Sequence, residues 1–340
     1  MGKKEDIEMA QSSANSAAKQ GRAVVVKHTG SHYLLSQLPE WKPFVAVVKG
    51  KLRLAESSYT NPIAVGDLVE YESEDGGLSC SIKSVLPRRN CLVRRSVNLS
   101  RQNHIIAANI DMAFLTVTLA LPQVKLQFVD RFLVTCQAYD VPVTILLNKA
   151  DMYRGDEGSQ ELADQELAQV AAGFVELYQK AGYRVVETSV ATGYNIELVR
   201  ELCKDKVVLF SGQSGVGKSS IINALDKNLE LKTAEISKAH RQGRHTTTFY
   251  QMHPIGSGGF VIDSPGIRGF GLVNFQKEEL SNFFPEMLAV ESRCKYTPCT
   301  HTHEPGCAVK EAVEEGEIST LRYESYISML EEDGKYRGEE

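Results

Sequence analysis

V-V-L-F-S-G-Q-S-G-V-G-K-S-S-I-I, Val207 to Ile222, is the stretch on which the fold turns. The apolar run Val207–Phe210 predicts a short buried parallel strand, and the chain from Ser219 onward predicts a helix. Between them stands Gly212-x-x-x-x-Gly217-Lys218-Ser219, a phosphate-binding loop in the strand–loop–helix context that gives the motif meaning. Gly212, Gly215 and Gly217 let the backbone through Gln213, Ser214 and Val216 curl with its N–H groups inward, as a nest for phosphate oxygens. The helix start at Ser219 and Ser220 adds its positive dipole end. Lys218 is placed to reach the β- and γ-phosphates, and the Ser219 hydroxyl to ligate Mg²⁺. A glycine-rich turn without chemistry has no need of eight residues in pattern with both flanks correct.

Upstream of this loop, from Ala107, strand-like and helix-like segments alternate. Strands are predicted at Met112–Thr118, Val143–Leu147 and Arg184–Glu187, and helices at Val129–Tyr139, Gln160–Ala181 and Asn195–Cys203. A further strand is predicted at Phe260–Ile262. Such alternation specifies a mostly parallel sheet with helices on both faces. The strand Val143–Leu147 ends in Asn148-Lys149-Ala150-Asp151. A carboxylate at Asp151 can accept both the ring N–H and the exocyclic amino hydrogens of guanine, whereas adenine leaves it unpaired, a strong rejection. Asn148 can brace the loop and the Lys149 stem can cover the base. At the end of the next strand, in Thr188-Ser189-Val190-Ala191, a backbone N–H of Ser189 or Val190 is expected to meet the guanine O6.

Downstream, Asp263-Ser264-Pro265-Gly266 follows Phe260–Ile262. Asp263 is expected to hold Mg²⁺ through water and the Gly266 N–H to sense the γ-phosphate, making the following segment a switch. Arg241-Gln242-Gly243-Arg244-His245-Thr246-Thr247-Thr248 lies between, and Thr247 is the favoured second hydroxyl on Mg²⁺. The order is reversed from the common arrangement, in which the phosphate loop comes first. A parallel sheet can keep its strand neighbours while the chain is cut and rejoined, so the pocket survives circular permutation. The switch strand then feeds straight into the C-terminal segment, and γ-phosphate occupancy is expected to reposition that segment.

The N-terminal part has a different texture. Residues 1–21 are polar and read as a flexible tail. Over residues 22–100, strand-like runs at Ala23–Lys27, His32–Leu35, Phe44–Val48, Asp67–Tyr71 and Ser81–Val85 predict a small closed barrel. An oligonucleotide/oligosaccharide-binding (OB) barrel fits, as do other small barrels. Arg88, Arg89, Arg94, Arg95 and Arg101 at its exit read equally as a phosphate-contacting edge for RNA or as a solvated linker. Residues 101–274 are assigned to the permuted nucleotide domain, and 275–340 to a helical, cysteine-bearing module.

Within that module, Cys294-x-x-x-x-Cys299-x-His301-x-x-x-x-x-Cys307 supplies three thiolates and an imidazole, a full tetrahedral set for one structural Zn²⁺. His303 is the less favoured alternative imidazole. Cys80, Cys91, Cys136 and Cys203 sit among apolar neighbours and read as core. The odd total of seven cysteines and the absence of a secretory segment argue against a disulfide framework. A formal charge of −5 excludes a chain coated in basic residues. No apolar run approaches the ~18 residues that span a bilayer, and a cytoplasmic setting without membrane contact is expected.

With these motifs in permuted order, a barrel before them and the cysteine cluster after, the sequence closely resembles the bacterial ribosome small subunit-dependent GTPase A family. The resemblance covers roughly Arg22 to Tyr326 and is carried by G-Q-S-G-V-G-K-S-S, G-R-H-T-T-T, D-S-P-G and H-E-P-G-C-A-V. It implies an OB barrel, a central circularly permuted GTPase and a C-terminal zinc domain. The implied activity is GTP hydrolysis, slow alone and stimulated by the small (30S) ribosomal subunit, whose late maturation it serves. The implied partners are that subunit, its 16S rRNA, and GTP/GDP with Mg²⁺, for a monomeric protein. Ile267 stands where many GTPases carry a water-orienting Gln, and an apolar side chain cannot orient water. The resemblance implies His245 in that catalytic role, beside Lys218 and Thr247. Val190 departs from the usual Ala, and the N-terminal tail is less basic than in some relatives. A rival reading keeps guanine nucleotide as a structural ligand of an RNA-binding module.

Overall fold

The five N-terminal strands close on themselves. β1 (Lys19–His28), β2 (Tyr33–Ser36), β3 (Phe44–Val48), β4 (Leu68–Glu74) and β5 (Ser79–Val85) pair in the order β1-β2-β3-β5-β4, and β4 returns to β1. Only the β3–β5 contact is parallel. Closure removes the exposed edges that five short strands would otherwise present, and this is the five-stranded OB-type barrel expected. Ala23, Val25, Leu35, Ala46, Val69 and Ile82 fill it. These strands belong to a computed structural model that describes residues 19–28, 32–48, 59–74, 79–95, 103–154, 164–229, 231, 250–264 and 276–331. β1 begins earlier than the sequence suggests: Lys19, Gln20 and Gly21 already pair with Ser73, Glu72 and Tyr71.

The arginines at the barrel exit are partly spoken for. Arg88 donates from Nε to Asp67 Oδ1 at 2.6 Å and from Nη2 to Asp67 Oδ2 at 2.8 Å, against a fully buried carboxylate. Arg89 pairs with Asp111 at 2.7 Å. Arg88 is held inside the barrel and Arg89 braces it against the next module, so neither is a free phosphate edge. Arg94 lies in β6 (Cys91–Arg95), which forms an antiparallel hairpin with β7 (Asn103–Ala108). The sequence leaves this hairpin out because a short apolar run interrupted by charges resembles a linker. The Arg95 side chain and Arg101 fall outside the described residues.

The central sheet has parallel strands in the order β10 (Arg184–Thr188), β9 (Val143–Asn148), β8 (Met112–Val117), β11 (Val207–Ser211) and β13 (Phe260–Asp263). β12 (Gln251–Pro254) adds antiparallel to β13 and meets the barrel through Lys27 and Gln251. β8 is buried at every position, as a strand covered on both sides must be. Alternate residues divide the two faces. Ala113, Leu115, Ile145, Leu147 and Leu209 pack under α1 (Leu126–Ala138) and, after the short α2 (Asp151–Arg154), under α3 (Gln165–Lys180). Phe114, Leu146, Val208 and Phe210 pack under α4 (Ile196–Cys203) and α5 (Lys218–Leu225). Cys80, Cys136 and Cys203 are buried in these cores and Cys91 is partly buried, as the sequence implies.

The C-terminal module contains a 3₁₀ segment, Lys277–Phe283, then α6 (Pro285–Glu291), α7 (Ala308–Glu314) and α8 (Thr320–Glu331). Its apolar cluster takes in Val134 of α1. At the seam lies Arg322, 1% exposed. Its Nη1 donates to Asp130 Oδ1 of α1 at 2.6 Å and its Nε to Glu286 Oε1 of α6 at 2.7 Å. The Tyr178 hydroxyl of α3 donates to the same Asp130 oxygen at 2.9 Å, and Ser325 donates to the other. The guanidinium rests 4.7 Å from the Phe284 ring centroid. The module is therefore packed on α1, beyond its covalent link to β13.

Replacing Arg322 by Met leaves Asp130 and Glu286 buried without their cation. That loss costs about 3–5 kcal/mol, to be read as a lowered urea midpoint. Adding Asp130→Leu and Glu286→Leu to Arg322→Met should restore part of it, because apolar replacements remove the buried charges themselves.

Candidate nucleotide site and metal centre

The site lies along the carboxyl ends of the parallel strands, where open α/β sheets place their ligands. After β11 the chain turns through Gly212 to Gly217 into α5, whose first residue is Lys218. Two of the glycines are required by space as well as by conformation. A Cβ on Gly212 would sit 2.2 Å from the Thr116 carbonyl oxygen, and one on Gly217 would sit 2.5 Å from Asn148 Nδ2, at a φ of 92°. Lys218 is buried, and its Nζ donates to the Gly212 and Gln213 carbonyls, each at 2.8 Å. Burial lowers its pKa to about 8, and Asp263 nearby acts in the opposite sense. Val216 is buried, Gln213, Ser219 and Ser220 are half-buried, and Ser214 is exposed.

The N-K-A-D turn is tied to this loop. Asn148, at the end of β9, donates from Nδ2 to the Val216 carbonyl at 2.8 Å. Its Oδ1 accepts from the Thr188 hydroxyl at 3.2 Å. Lys149 turns at a φ of 64° and its ammonium meets the Leu121 carbonyl, in the connection between β8 and α1. Asp151 opens α2, and its Oδ1 accepts from the Ser189 hydroxyl. The backbone N–H of Ser189 is already given to the Tyr194 carbonyl at 3.1 Å. Of the two amides expected to meet a base, Ser189 is therefore committed within the loop, and Val190 is left. Thr188 and Leu121 are contributors the sequence reading missed. Thr188 carries a weak signal in standing at a strand end beside Ser189; Leu121 acts through its backbone and carries none.

On the other side of β11, Asp263 closes β13 in register with Phe210. Its Oδ1 is buried with no hydrogen-bond partner among the described residues, and burial raises its pKa while Lys218 opposes the rise. A buried carboxylate oxygen beside a phosphate loop suits a hydrated cation, so the donor set here fits Mg²⁺. Ser264 ties the start of the D-S-P-G motif back to β11 through its hydroxyl, 2.6 Å from the Phe210 carbonyl. His245, Thr247 and Gly266 lie outside the described residues.

The second site is in the C-terminal module. The ligand atoms of Cys294, Cys299, His301 and Cys307 lie within 4.8 Å of one another. His301 Nδ1 faces Cys294 Sγ at 3.7 Å and Cys307 Sγ at 3.4 Å. A tetrahedral zinc site with Zn–S near ~2.3 Å and Zn–N near ~2.0 Å sets its ligands about 3.5–3.8 Å apart, so the cluster fits. His303 is exposed and bonds Thr302 instead. Nδ1, which faces two sulfurs, is the ligating nitrogen that the geometry supports, and among the described residues the buried His301 Nε2 has no partner.

Among the described residues no helix is long and apolar enough to cross a membrane. Residues 85–273 match the family model described as RsgA GTPase. The protein named "Small ribosomal subunit biogenesis GTPase RsgA" in Bacteroides fragilis is 46% identical over 322 residues, 93% of this chain and 99% of its own. The protein of the same name in Flavobacterium psychrophilum is 42% identical over 318 residues, 92% of this chain and 94% of its own. Among solved structures, YjeQ from Thermotoga maritima superposes with a TM-score of 0.72 at 32% identity, covering 92% of this chain and 98% of that one. YloQ, described as a circularly permuted GTPase, gives a TM-score of 0.66 at 29% identity, covering 94% of this chain and 97% of that one. Sequence, motif order and fold agree across nearly the whole length: this chain is a GTP-hydrolysing enzyme and belongs to the RsgA GTPase family.

Proposed function

We propose that the chain grips GTP between two motifs written in reversed order and uses its hydrolysis to time work on the small ribosomal subunit. The observation that carries this reading is the Asn148 Nδ2–Val216 carbonyl bond at 2.8 Å. It joins the loop bearing Asp151 to the loop bearing Lys218. Asp151, steadied by Ser189, reads the guanine N–H donors, Lys149 covers the base, and the Val190 amide serves O6. The nest from Gly212 to Ser219 takes the phosphates, with Lys218 as its cation. Ser219 and Asp263, with Thr247, would hold the Mg²⁺ that, when bound, neutralises charge on the β- and γ-phosphates. His245 positions the attacking water, a role that apolar Ile267 cannot fill, and the Gly266 amide reports the γ-phosphate.

Cys294, Cys299, His301 and Cys307 hold a structural Zn²⁺, with no ligand position left for water. The partner follows from kinship: relatives at 42–46% identity are named for small ribosomal subunit biogenesis. We assign this chain the same task, as a monomeric cytoplasmic factor that docks on subunit 16S rRNA with GTP and leaves after hydrolysis. The modules proposed are 22–100 for the barrel, 101–274 for the GTPase and 275–340 for the zinc domain.

Purified protein should turn over GTP slowly, and faster when isolated small subunits are added; equal phosphate release with and without subunits would refute the ribosomal reading. Asp151→Asn sets an amide N–H₂ against the guanine donors and should weaken GDP binding by at least ~100-fold in a fluorescent-nucleotide titration. The pH dependence has a definite sign. Free Lys218 titrates at about 8, and a bound phosphate raises that value. Its contribution to binding is therefore complete well below pH 8 and fades as pH rises above it. Titrations from about pH 7 to 9.5 should show affinity falling across the range, and a flat profile would contradict the assignment.

A further inference from the structure

Glu304 stands inside the metal-ligand loop, between His301 and Cys307, yet contributes no ligand atom. Its Oε1 accepts from the Thr300 backbone N–H at 2.9 Å and from the Thr300 hydroxyl at 2.6 Å. Its Oε2 accepts from the N–H groups of Thr302 and His303, at 3.1 and 3.2 Å. Backbone amides converging this way form an anion-binding concavity, here filled by the chain's own carboxylate. The amides flank His301, whose φ of 56° lies in the left-handed region that residues other than glycine seldom occupy. The opposite side of the loop is held by α8. The Tyr323 hydroxyl donates to the His301 carbonyl and the Tyr326 hydroxyl to the Thr300 carbonyl, each at 2.7 Å. Carbonyls are thus held by the tyrosines and amides by Glu304, with His301 suspended between. Burial alone would raise the Glu304 pKa, but the Thr300 hydroxyl and the surrounding amides bring it down to about 2.

We propose that Glu304 is the positioning residue of the metal centre: by gathering the amides of Thr300, Thr302 and His303, it holds His301 in the strained conformation that presents Nδ1 to the thiolates. This rests on reading Cys294, Cys299, His301 and Cys307 as zinc ligands. Without the carboxylate the amides lose their common acceptor, and metal binding must then supply the ordering of the loop. An amide at this position keeps one acceptor oxygen but turns an N–H₂ toward other N–H groups, so Glu304→Gln restores only part of the network.

The test uses full-length protein, stripped of metal and reloaded with zinc against a competing chromogenic chelator. Glu304→Ala should bind zinc about 10–100-fold more weakly, the range for losing a partner that orients a ligand, with Glu304→Gln in between. The thermal midpoint of the stripped Glu304→Ala protein should match that of the stripped parent. Zinc affinity within about twofold of the parent would overturn the proposal. So would a loss matched by an equal fall in the stripped protein's midpoint, which would make Glu304 a general fold contact. If Glu304→Ala does not fold, Glu304→Gln against the parent decides on the same affinity criterion. Cobalt loading of the parent separates the two readings: absence of thiolate charge-transfer and tetrahedral bands would overturn the zinc assignment itself.

Discussion

The bond from the Asn148 side chain to the Val216 carbonyl is the constraint on which the nucleotide site depends. Asn148 of the N-K-A-D turn and Val216 of the phosphate-loop motif lie sixty-eight positions apart in the chain, in an order opposite to the usual one. What brings them together is the strand order, with β8 alone between β9 and β11. Asn148 then closes the remaining gap. Its two polar ends are both committed, one to the phosphate loop and one to Thr188 of β10. A single buried amide thus aligns three strand ends. Gly217 is glycine partly because that amide occupies the space a side chain would need.

A second constraint fixes the C-terminal module. Chain continuity suggests that this module follows the switch strand. Packing says that it rides on α1, through the Asp130–Arg322–Glu286 cluster and the apolar contacts around Val134. A fully desolvated cluster of this kind is costly to leave half-made, so it resists sliding. α8 carries the consequence onward. Arg322 anchors it to α1, while the neighbouring Tyr323 and the more distant Tyr326 hold the metal-ligand loop. α8 therefore ties the metal-ligand loop to α1, and α1 in turn packs on the GTPase sheet.

Much of this was legible beforehand for a physical reason. The phosphate loop, the N-K-A-D turn and the C-x₄-C-x-H-x₅-C spacing are local: each places its functional groups within a few residues, so local backbone geometry alone converges them. The strand alternation was legible too, because burial on both faces demands nearly continuous apolar runs such as Met112–Val117, broken only by Thr116. Less legible were β6 and β12, which are short and mix charged or polar residues such as Arg94, Gln251 and His253 with apolar ones. The arginines at the barrel exit were misjudged in part because an ion pair between Arg88 and Asp67 spans twenty-one positions.

By itself the sequence determined the candidates: which residues bear the thiols, the carboxylate proposed to select guanine, the cation proposed for phosphate, and the reversed order of the motifs. Only the tertiary structure decided how those pieces are held. It committed the Ser189 amide to Tyr194, gave Thr188 and Leu121 their supporting roles, and clamped the C-terminal module to α1 through Arg322. The division has one cause. A motif's chemistry is written in neighbouring residues, whereas a buried hydrogen bond or ion pair between distant segments exists only once packing has excluded water and left each polar group no partner but the other.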